Sequence, residues 1–121
     1  MSKRILVVED HEDNRQILRD LLGSADYKMI EAWDGEAALK VAAAEQPDLI
    51  LMDIQLPGID GYEVTRRIKA DPKLKAIPII AVTSYALSGD EDKARAAGCD
   101  AYVAKPYSPR KLMEKIREYL R

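Results

Sequence analysis

Four apolar segments of this 121-residue chain end in side chains that could do chemistry together. Those side chains are Glu9 and Asp10, Asp53, Thr83, and Lys105. Neighbouring carboxylates repel one another, and a hard divalent cation such as Mg²⁺, which prefers oxygen ligands, removes that conflict. A bound Mg²⁺, an ammonium group and a hydroxyl group suit a dianionic phosphoryl group. The residue types therefore predict Mg²⁺-assisted phosphoryl chemistry, provided that the fold brings the segment ends together.

Asp53 is the best candidate for a nucleophile, because the apolar run before it would fix its backbone. A carboxylate can accept a phosphoryl group and become an aspartyl phosphate. We expect Asp10 and Asp53 to bind Mg²⁺ directly and Glu9 to act through water, since Mg²⁺ usually keeps several waters. Lys105 would supply a second positive charge, and Thr83 would supply a hydroxyl donor.

Each of these residues also has an ordinary structural interpretation when it is taken alone. An acid at a strand end often caps the next turn or helix, and a threonine hydroxyl often bonds to local backbone. A single lysine can be a surface charge. The functional interpretation therefore depends on several strand ends carrying suitable chemistry at once. The only histidine, His11, is expected to face solvent.

Five apolar segments are nearly continuous rather than alternating, which is typical of strands buried on both faces of a parallel sheet. They are RILVVED, YKMIEAWDG, DLILMD, IPIIAVTS and AYVAKP. Apolar residues at helical spacing lie between them, as in Ile17, Leu18, Leu21 and Leu22. Asp34, before Gly35, marks the start of the second helix, and Ser108, before Pro109, is a predicted N-cap of the last helix.

Strands that alternate with helices predict an α/β fold with one doubly wound, five-stranded parallel sheet and right-handed crossovers. The common order for five strands is 2-1-3-4-5, the flavodoxin-like topology. Strands 1 and 3 are then neighbours, and ligands bind beyond the carboxyl ends of the strands at that point. We therefore expect all the polar strand-end residues to converge on one edge of the sheet.

Length and composition limit the class of protein. Residues 1–121 fit a single domain, and a net charge of −2 gives no field that would recruit nucleic acid. No apolar run approaches the roughly 20 residues that span a bilayer, and the N-terminal run is too short for a signal peptide. The single cysteine, Cys99, excludes an internal disulfide and fits a reducing compartment. These features predict a cytoplasmic protein without membrane or nucleic-acid binding.

Several motifs together resemble the receiver domain of two-component response regulators, the CheY-like family, over essentially the whole chain. The motifs are VVEDHEDN with Glu9 and Asp10, LILMDIQLPGIDG with Asp53, IIAVTSYA with Thr83, CDAYVAKP with Tyr102, and the pair Lys105-Pro106. Within the family, LMDIQLPGIDG and GCDAYVAKP are most similar to stand-alone regulators of the DivK kind. The Glu-Asp pair replaces the commoner Asp-Asp, which leaves the metal interpretation intact.

The resemblance implies a phosphoryl acceptor and a metal site. Asp53 would accept the phosphoryl group. Mg²⁺ would be held by Asp10, Asp53 and the main-chain carbonyl of Gln55, with Glu9 assisting. Lys105 would pair with the phosphoryl oxygens. Its bond to Pro106 is expected to be cis, a form that only X-Pro bonds adopt at low cost.

The resemblance also implies a switch. Thr83 would move towards the phosphoryl group, and Tyr102 would turn inward behind it. The fourth helix region, residues 88–97, is expected to respond because its apolar residues are mostly small alanines that bury little area. The ring of Tyr85, two residues past Thr83, is expected to shield the phosphoryl group from water.

The partners follow from the same resemblance. The donor would be a phosphohistidine on a histidine kinase or a histidine phosphotransfer protein. The receiver would not be an enzyme beyond catalysing its own phosphorylation and dephosphorylation. Because the sequence ends after the fifth predicted helix, we expect no output domain. Output would then be binding of a downstream target protein, by a monomer or by a phosphorylation-dependent dimer.

Two other functions are compatible with this topology. A flavodoxin-like FMN carrier would need a hydroxyl- and glycine-rich phosphate loop after the first strand, whereas this chain has the charged sequence EDHEDN. A Mg²⁺-dependent phosphohydrolase with an aspartyl nucleophile would usually carry a second acid two residues after it, and this chain has Gln55 there. An absorbance spectrum tests the first alternative, and turnover of a phosphate ester tests the second.

Overall fold

The computed structural model describes residues 2–83 and 90–120, and within them strands and helices alternate along the chain. The elements are β1 Arg4–Val8, α1 Glu12–Ser24, β2 Lys28–Ala32, α2 Gly35–Glu45, β3 Leu49–Asp53, α3 Gly61–Ala70, β4 Ile79–Thr83, α4 Asp90–Ala97, β5 Ala101–Ala104 and α5 Pro109–Tyr119. All strand pairs are parallel, in the order β2-β1-β3-β4-β5. The predicted fold class and strand order are confirmed.

The sheet is covered by helices on both faces, as its apolar strands require. Alternate strand residues point to opposite faces. Leu6 and Ile50 join α2, α3 and α4 in one apolar cluster. Ile5 and Leu51 join α1 and α5 in the other. Every residue of β3 is buried, as is every residue of its neighbour β4, so the strand that carries Asp53 is fixed by packing on both faces.

The edge strand β2 differs from the central strands because it has only one neighbour, β1. Its first residue, Lys28, is exposed and the next three are partly buried, so YKMIEAWDG is the weakest of the apolar segments. The predicted apolar stripe of α1 is only partly buried. Leu18 and Leu22 lie in the core, but Ile17 is 51% exposed.

Helix starts follow the predicted capping residues. Asp34 Oδ1 accepts a 2.8 Å hydrogen bond from the Ala37 N–H at the start of α2. Ser108 Oγ caps α5, whose first residue is a proline. A third cap, which the sequence analysis did not identify, is Asp60 at α3, where Oδ1 accepts from the Glu63 N–H at 2.9 Å.

Residues 88 and 89 of the predicted switch region lie outside the described residues, and so does Tyr85, the residue predicted to shield the phosphoryl group. Within the described part of that region, Ala94 and Ala97 are buried, whereas Ala96 is exposed. Among the helices described, none has the length and apolar character needed to cross a membrane.

Candidate functional site

Glu9 lies immediately after β1, where its carboxylate is 4% exposed and surrounded by hydrogen-bond donors. Lys105 Nζ donates to Oε1 at 2.9 Å, and Asn14 Nδ2 donates to the same oxygen at 3.3 Å. The backbone N–H of His11 donates to Oε2 at 3.0 Å. Burial alone would raise the pKa of Glu9, but the His11 N–H and the Lys105 ammonium outweigh it and lower that pKa to about 2. Glu9 is therefore a fixed negative charge.

Asp53 ends β3 and is 5% exposed. Its Oδ1 accepts a 2.9 Å hydrogen bond from the Gln55 N–H, and its Oδ2 lies 3.7 Å from Lys105 Nζ. Burial raises the pKa of Asp53 to about 6, and the charge of Glu9 adds to that effect, while the Gln55 N–H and Lys105 oppose it. Glu9 and Asp53 thus share the ammonium group of Lys105. Glu9, which accepts more hydrogen bonds, keeps its negative charge to lower pH than Asp53 does.

Asp10 and His11 follow Glu9 at the same edge of the sheet. His11 Nδ1 lies 3.2 Å from Asp10 Oδ1 and 3.3 Å from Glu9 Oε2, although the His11 side chain is 70% exposed as predicted. Asp10 Oδ1 is buried and makes no hydrogen bond of acceptable geometry. In the described part of the chain, the three residues form a group whose possible ligand atoms lie within 4.8 Å of one another.

These acids fit a hard cation such as Mg²⁺. A metal ion would satisfy the buried Asp10 Oδ1, which makes no hydrogen bond. Burial is the main cause that raises the pKa of Asp53, the charge of Glu9 adds to it, and a cation would offset both by favouring the charged carboxylate. Gln55 follows in the loop after β3 and its N–H is turned towards Asp53.

Lys105 comes from the far end of the chain and reaches the acids from β5. Its backbone N–H donates to the Thr83 carbonyl at 2.6 Å, which joins the ends of β4 and β5. Burial lowers the pKa of Lys105, but the Glu9 and Asp53 carboxylates outweigh it and raise the pKa above its ordinary value. The Lys105–Pro106 bond is cis, as expected.

Thr83 and Tyr102, the two predicted switch residues, lie on the neighbouring strands β4 and β5. Thr83 is the last residue of β4 and is 2% exposed. Tyr102 is half-buried on β5 and packs against the apolar cluster beneath α2, α3 and α4. The structure therefore brings the five strand-end residues to one edge of the sheet, with Tyr102 on β5, the strand that Lys105 directly follows.

Sequence reasoning missed Arg15, a residue of α1 that is 6% exposed. Its Nη1 donates a 2.8 Å hydrogen bond to the backbone carbonyl of Glu9. It also missed that His11 lies against the two acids. Adjacency in sequence could have indicated His11, but no spacing rule links a helical arginine to the carbonyl that lies six residues before it.

Known proteins are similar to this chain in sequence and in fold. The family model of the response regulator receiver domain matches residues 5–117. The polar-differentiation response regulator DivK of Brucella ovis is 47% identical over 120 residues, which cover 99% of this chain and 98% of that protein.

Solved structures of receiver domains have the same fold as this chain. The receiver domain of the sensor histidine kinase PA1611 from Pseudomonas aeruginosa PAO1, with magnesium in its active-site cleft, has a TM-score of 0.92 at 36% identity, covering 99% of this chain and 98% of that one. The BeF3-activated N-terminal receiver domain of RstA from Klebsiella pneumoniae has a TM-score of 0.92 at 30% identity, covering 98% and 99%. With a family match over nearly its whole length, this chain belongs to the response regulator receiver domains of two-component signal transduction.

Proposed function

We propose that this receiver accepts a phosphoryl group on Asp53 in a Mg²⁺-dependent reaction. The observation that carries the proposal is that Asp53 ends the buried strand β3 with its Oδ2 3.7 Å from Lys105 Nζ. The strand and the Gln55 N–H fix the carboxylate, while the ammonium group lies where charge on a transferred phosphoryl group must be neutralised. Receiver chemistry needs little beyond such positioning and charge neutralisation.

The residues that would hold the metal are Asp10, Asp53 and the main-chain carbonyl of Gln55, with Glu9 assisting. A bound Mg²⁺ would neutralise the phosphoryl oxygens during in-line displacement. The PA1611 receiver domain has magnesium coordinated in its active-site cleft, which supports the same metal here. The buried Asp10 Oδ1, which makes no hydrogen bond, supports a metal ion at this site independently.

In the proposed transfer, an Asp53 carboxylate oxygen forms a new bond to phosphorus while the bond from phosphorus to the donor nitrogen breaks. The donor is a phosphohistidine on a histidine kinase or a histidine phosphotransfer protein, and its imidazole leaves with the bonding electrons. Lys105 turns part of its hydrogen bonding from Glu9 to the phosphoryl oxygens. The receiver thereby contributes to its own phosphorylation and, with water, to its dephosphorylation.

The proposed output is a change of shape at the end of the sheet. Thr83 moves to the phosphoryl group and Tyr102 turns inward behind it. The face of α4, β5 and α5 then binds a downstream target or a second copy of the chain. An open depression of about 450 Å³, lined in part by Tyr102, Lys111 and Lys115, lies on that face. Its two lysines suit a partner with acidic residues.

The alternatives gain no support. The family match argues for a signalling receiver rather than an FMN carrier or a phosphohydrolase. The loop after β1 carries buried Glu9 and partly buried Asp10, whose charges would repel the phosphate of FMN.

Intact-mass analysis after incubation with a small phosphodonor and Mg²⁺ tests the proposal. Wild type should gain one phosphoryl group, and Asp53→Asn should gain none. Asp60→Asn is the matched control, because it makes the same chemical change at an exposed helix cap that asparagine can also form. Full phosphorylation of Asp53→Asn would show that the acceptor is another residue.

A further inference from the structure

Arg15 is a buried cation that the proposed chemistry does not use. Its side chain is 7% exposed, although arginine is seldom buried unless it is paired. The guanidinium group donates to the Glu9 carbonyl at 2.8 Å and to Glu12 Oε2 at 2.6 Å. Its Nε lies 3.2 Å from Glu31 Oε1, and its Cζ lies 5.2 Å from the centroid of the Trp33 ring.

The carbonyl that Arg15 binds belongs to the peptide unit that joins Glu9 to Asp10. Strand β1 ends at Val8, so this carbonyl lies beyond the paired part of the strand. On the other side of Glu9, the backbone N–H donates to the Ala32 carbonyl at 3.1 Å. Both backbone groups of Glu9 are therefore held, and the direction in which the two carboxylates project depends on these two hydrogen bonds.

Arg15 is itself held firmly enough to act as a support. Glu12 binds it from α1, Glu31 from β2, and the ring of Trp33 packs over it from the end of β2. A planar guanidinium group can make these contacts simultaneously, whereas the single nitrogen of a lysine cannot.

We propose that Arg15 is a positioning residue for the metal-binding acids. It touches neither the metal nor the phosphoryl group, but it fixes the peptide plane from which Glu9 and Asp10 project, and so sets the affinity of the site for Mg²⁺. Partners of this outer kind typically change metal affinity by about 10–100-fold when they are removed. The inference rests on the proposed function in one respect, namely that these acids hold Mg²⁺.

The sign of the effect separates positioning from simple electrostatics. Removing a nearby positive charge should tighten the binding of a cation by Coulomb's law. Losing the support of the Glu9 carbonyl should weaken it. Arg15→Met therefore sets the two explanations against each other, and Arg15→Lys keeps the charge while losing the forked geometry.

Isothermal titration of Mg²⁺ into the metal-free protein is the test. We expect Arg15→Met and Arg15→Lys to bind Mg²⁺ about tenfold more weakly than wild type. Arg19→Met is the matched control, because Arg19 pairs with the same acids, Glu12 and Glu31, while its hydrogen bonds go to side chains alone. It should bind Mg²⁺ almost as wild type does.

A second control addresses stability. Leu22→Val removes one buried methylene from the same helix and should lower the unfolding temperature without weakening Mg²⁺ binding. If Arg15→Met does not fold, Arg15→Lys carries the comparison. Unchanged or tighter Mg²⁺ binding in a folded Arg15 variant overturns this inference alone. Failure of wild type to bind Mg²⁺ overturns the proposed metal site and this inference with it.

Discussion

Lys105 Nζ donates a 2.9 Å hydrogen bond to Glu9 Oε1, joining residues that are 96 positions apart in the chain. The same nitrogen lies 3.7 Å from Asp53 Oδ2, so the ammonium group favours the acid that is not the proposed acceptor. Lys105 is therefore hydrogen-bonded to Glu9 and lies close to Asp53 without a hydrogen bond to it. Several measurable consequences depend on this pairing.

Glu9→Gln should release Lys105 towards Asp53. It also removes the negative charge that helps to raise the Asp53 pKa to about 6. We expect the Asp53 pKa to fall by about one unit, since losing a like charge and gaining an opposite one both favour the carboxylate. Carbon-detected NMR titration of the Asp53 carboxyl group measures this. Asp13→Asn, an exposed acid on the same helix as Arg15, serves as a control, and an unchanged or higher Asp53 pKa in Glu9→Gln would contradict the pairing argument.

The raised pKa of Asp53 makes stability depend on pH in a direction opposite to that of most acids. Between the ordinary value of 3.8 and about 6, the folded protein binds more protons than the unfolded chain, so stability falls as pH rises through this range. Above pH 6 without metal, Asp53→Asn should be more stable than wild type by about 1–3 kcal/mol.

Urea unfolding at pH 4.5 and pH 8, with chelator present, tests this prediction. The free energy of unfolding of Asp53→Asn should exceed that of wild type by a large amount at pH 8. The difference should be small at pH 4.5, because at that pH wild-type Asp53 is largely protonated. Addition of Mg²⁺ at pH 8 should stabilise wild type and narrow the gap. An Asp53→Asn variant that is less stable than wild type at pH 8 would mean that the carboxylate is not under electrostatic strain.

Gly61 is required by the backbone that follows Asp53. A Cβ at residue 61 would collide with the Asp53 carbonyl oxygen and lie 2.7 Å from the Ile54 Cα. These are backbone atoms, so the loop after β3 must move to make room. Gly61→Ala should lose about 1–3 kcal/mol of stability and accept phosphate at Asp53 more slowly.

The control for Gly61→Ala is Gly23→Ala on α1, where an added Cβ would meet nothing within 4 Å. That variant should be as stable as wild type or more so, because alanine favours a helix. Chemical denaturation gives the stabilities, and the time course of intact mass with a phosphodonor gives the rates. Wild-type rates in Gly61→Ala would show that the loop can shift without disturbing Asp53.

The proposed switch predicts that acceptance and signalling can be separated at Thr83. Thr83→Ala should still gain a phosphoryl group on Asp53, yet it should lose the change that phosphorylation produces around α4 and β5. Hydrogen exchange over residues 90–107, with and without beryllofluoride, measures that change. Thr65→Ala, at a fully buried threonine on α3, is the control and should respond as wild type does. Equal responses in wild type and Thr83→Ala would remove Thr83 from the switch.

The sequence predicted the strand-end residues because parallel strands deliver their carboxyl ends to one edge regardless of side-chain detail. For this reason the sequence alone placed Asp53 and Thr83 at the same edge of the sheet. The sequence could not predict that Lys105 donates its hydrogen bond to Glu9 rather than to Asp53. That choice depends on the rotamer of the lysine and on the position of the Glu9 carboxylate, which donors from His11 and Asn14 hold.

Periodicity failed for a different reason at Ile17 and Arg15. Helical spacing put Ile17 in the apolar stripe of α1, yet it is 51% exposed, while Arg15 is 6% exposed. Hydropathy patterns treat an arginine as a surface residue. Here the buried guanidinium group donates to Glu12 and to a backbone carbonyl and is paired in charge with Glu31, and no pattern of residue types along α1 reports those partners.

The stacking of Arg15 on Trp33 gives the chain an optical property. Trp33 is the only tryptophan, so all indole emission comes from one ring, which is 64% exposed and has a cation over its face. That cation is hydrogen-bonded to the peptide unit between Glu9 and Asp10. We expect a displacement of that peptide to reach the ring through this single side chain, so the emission intensity should report Mg²⁺ binding at the proposed acids without any attached dye.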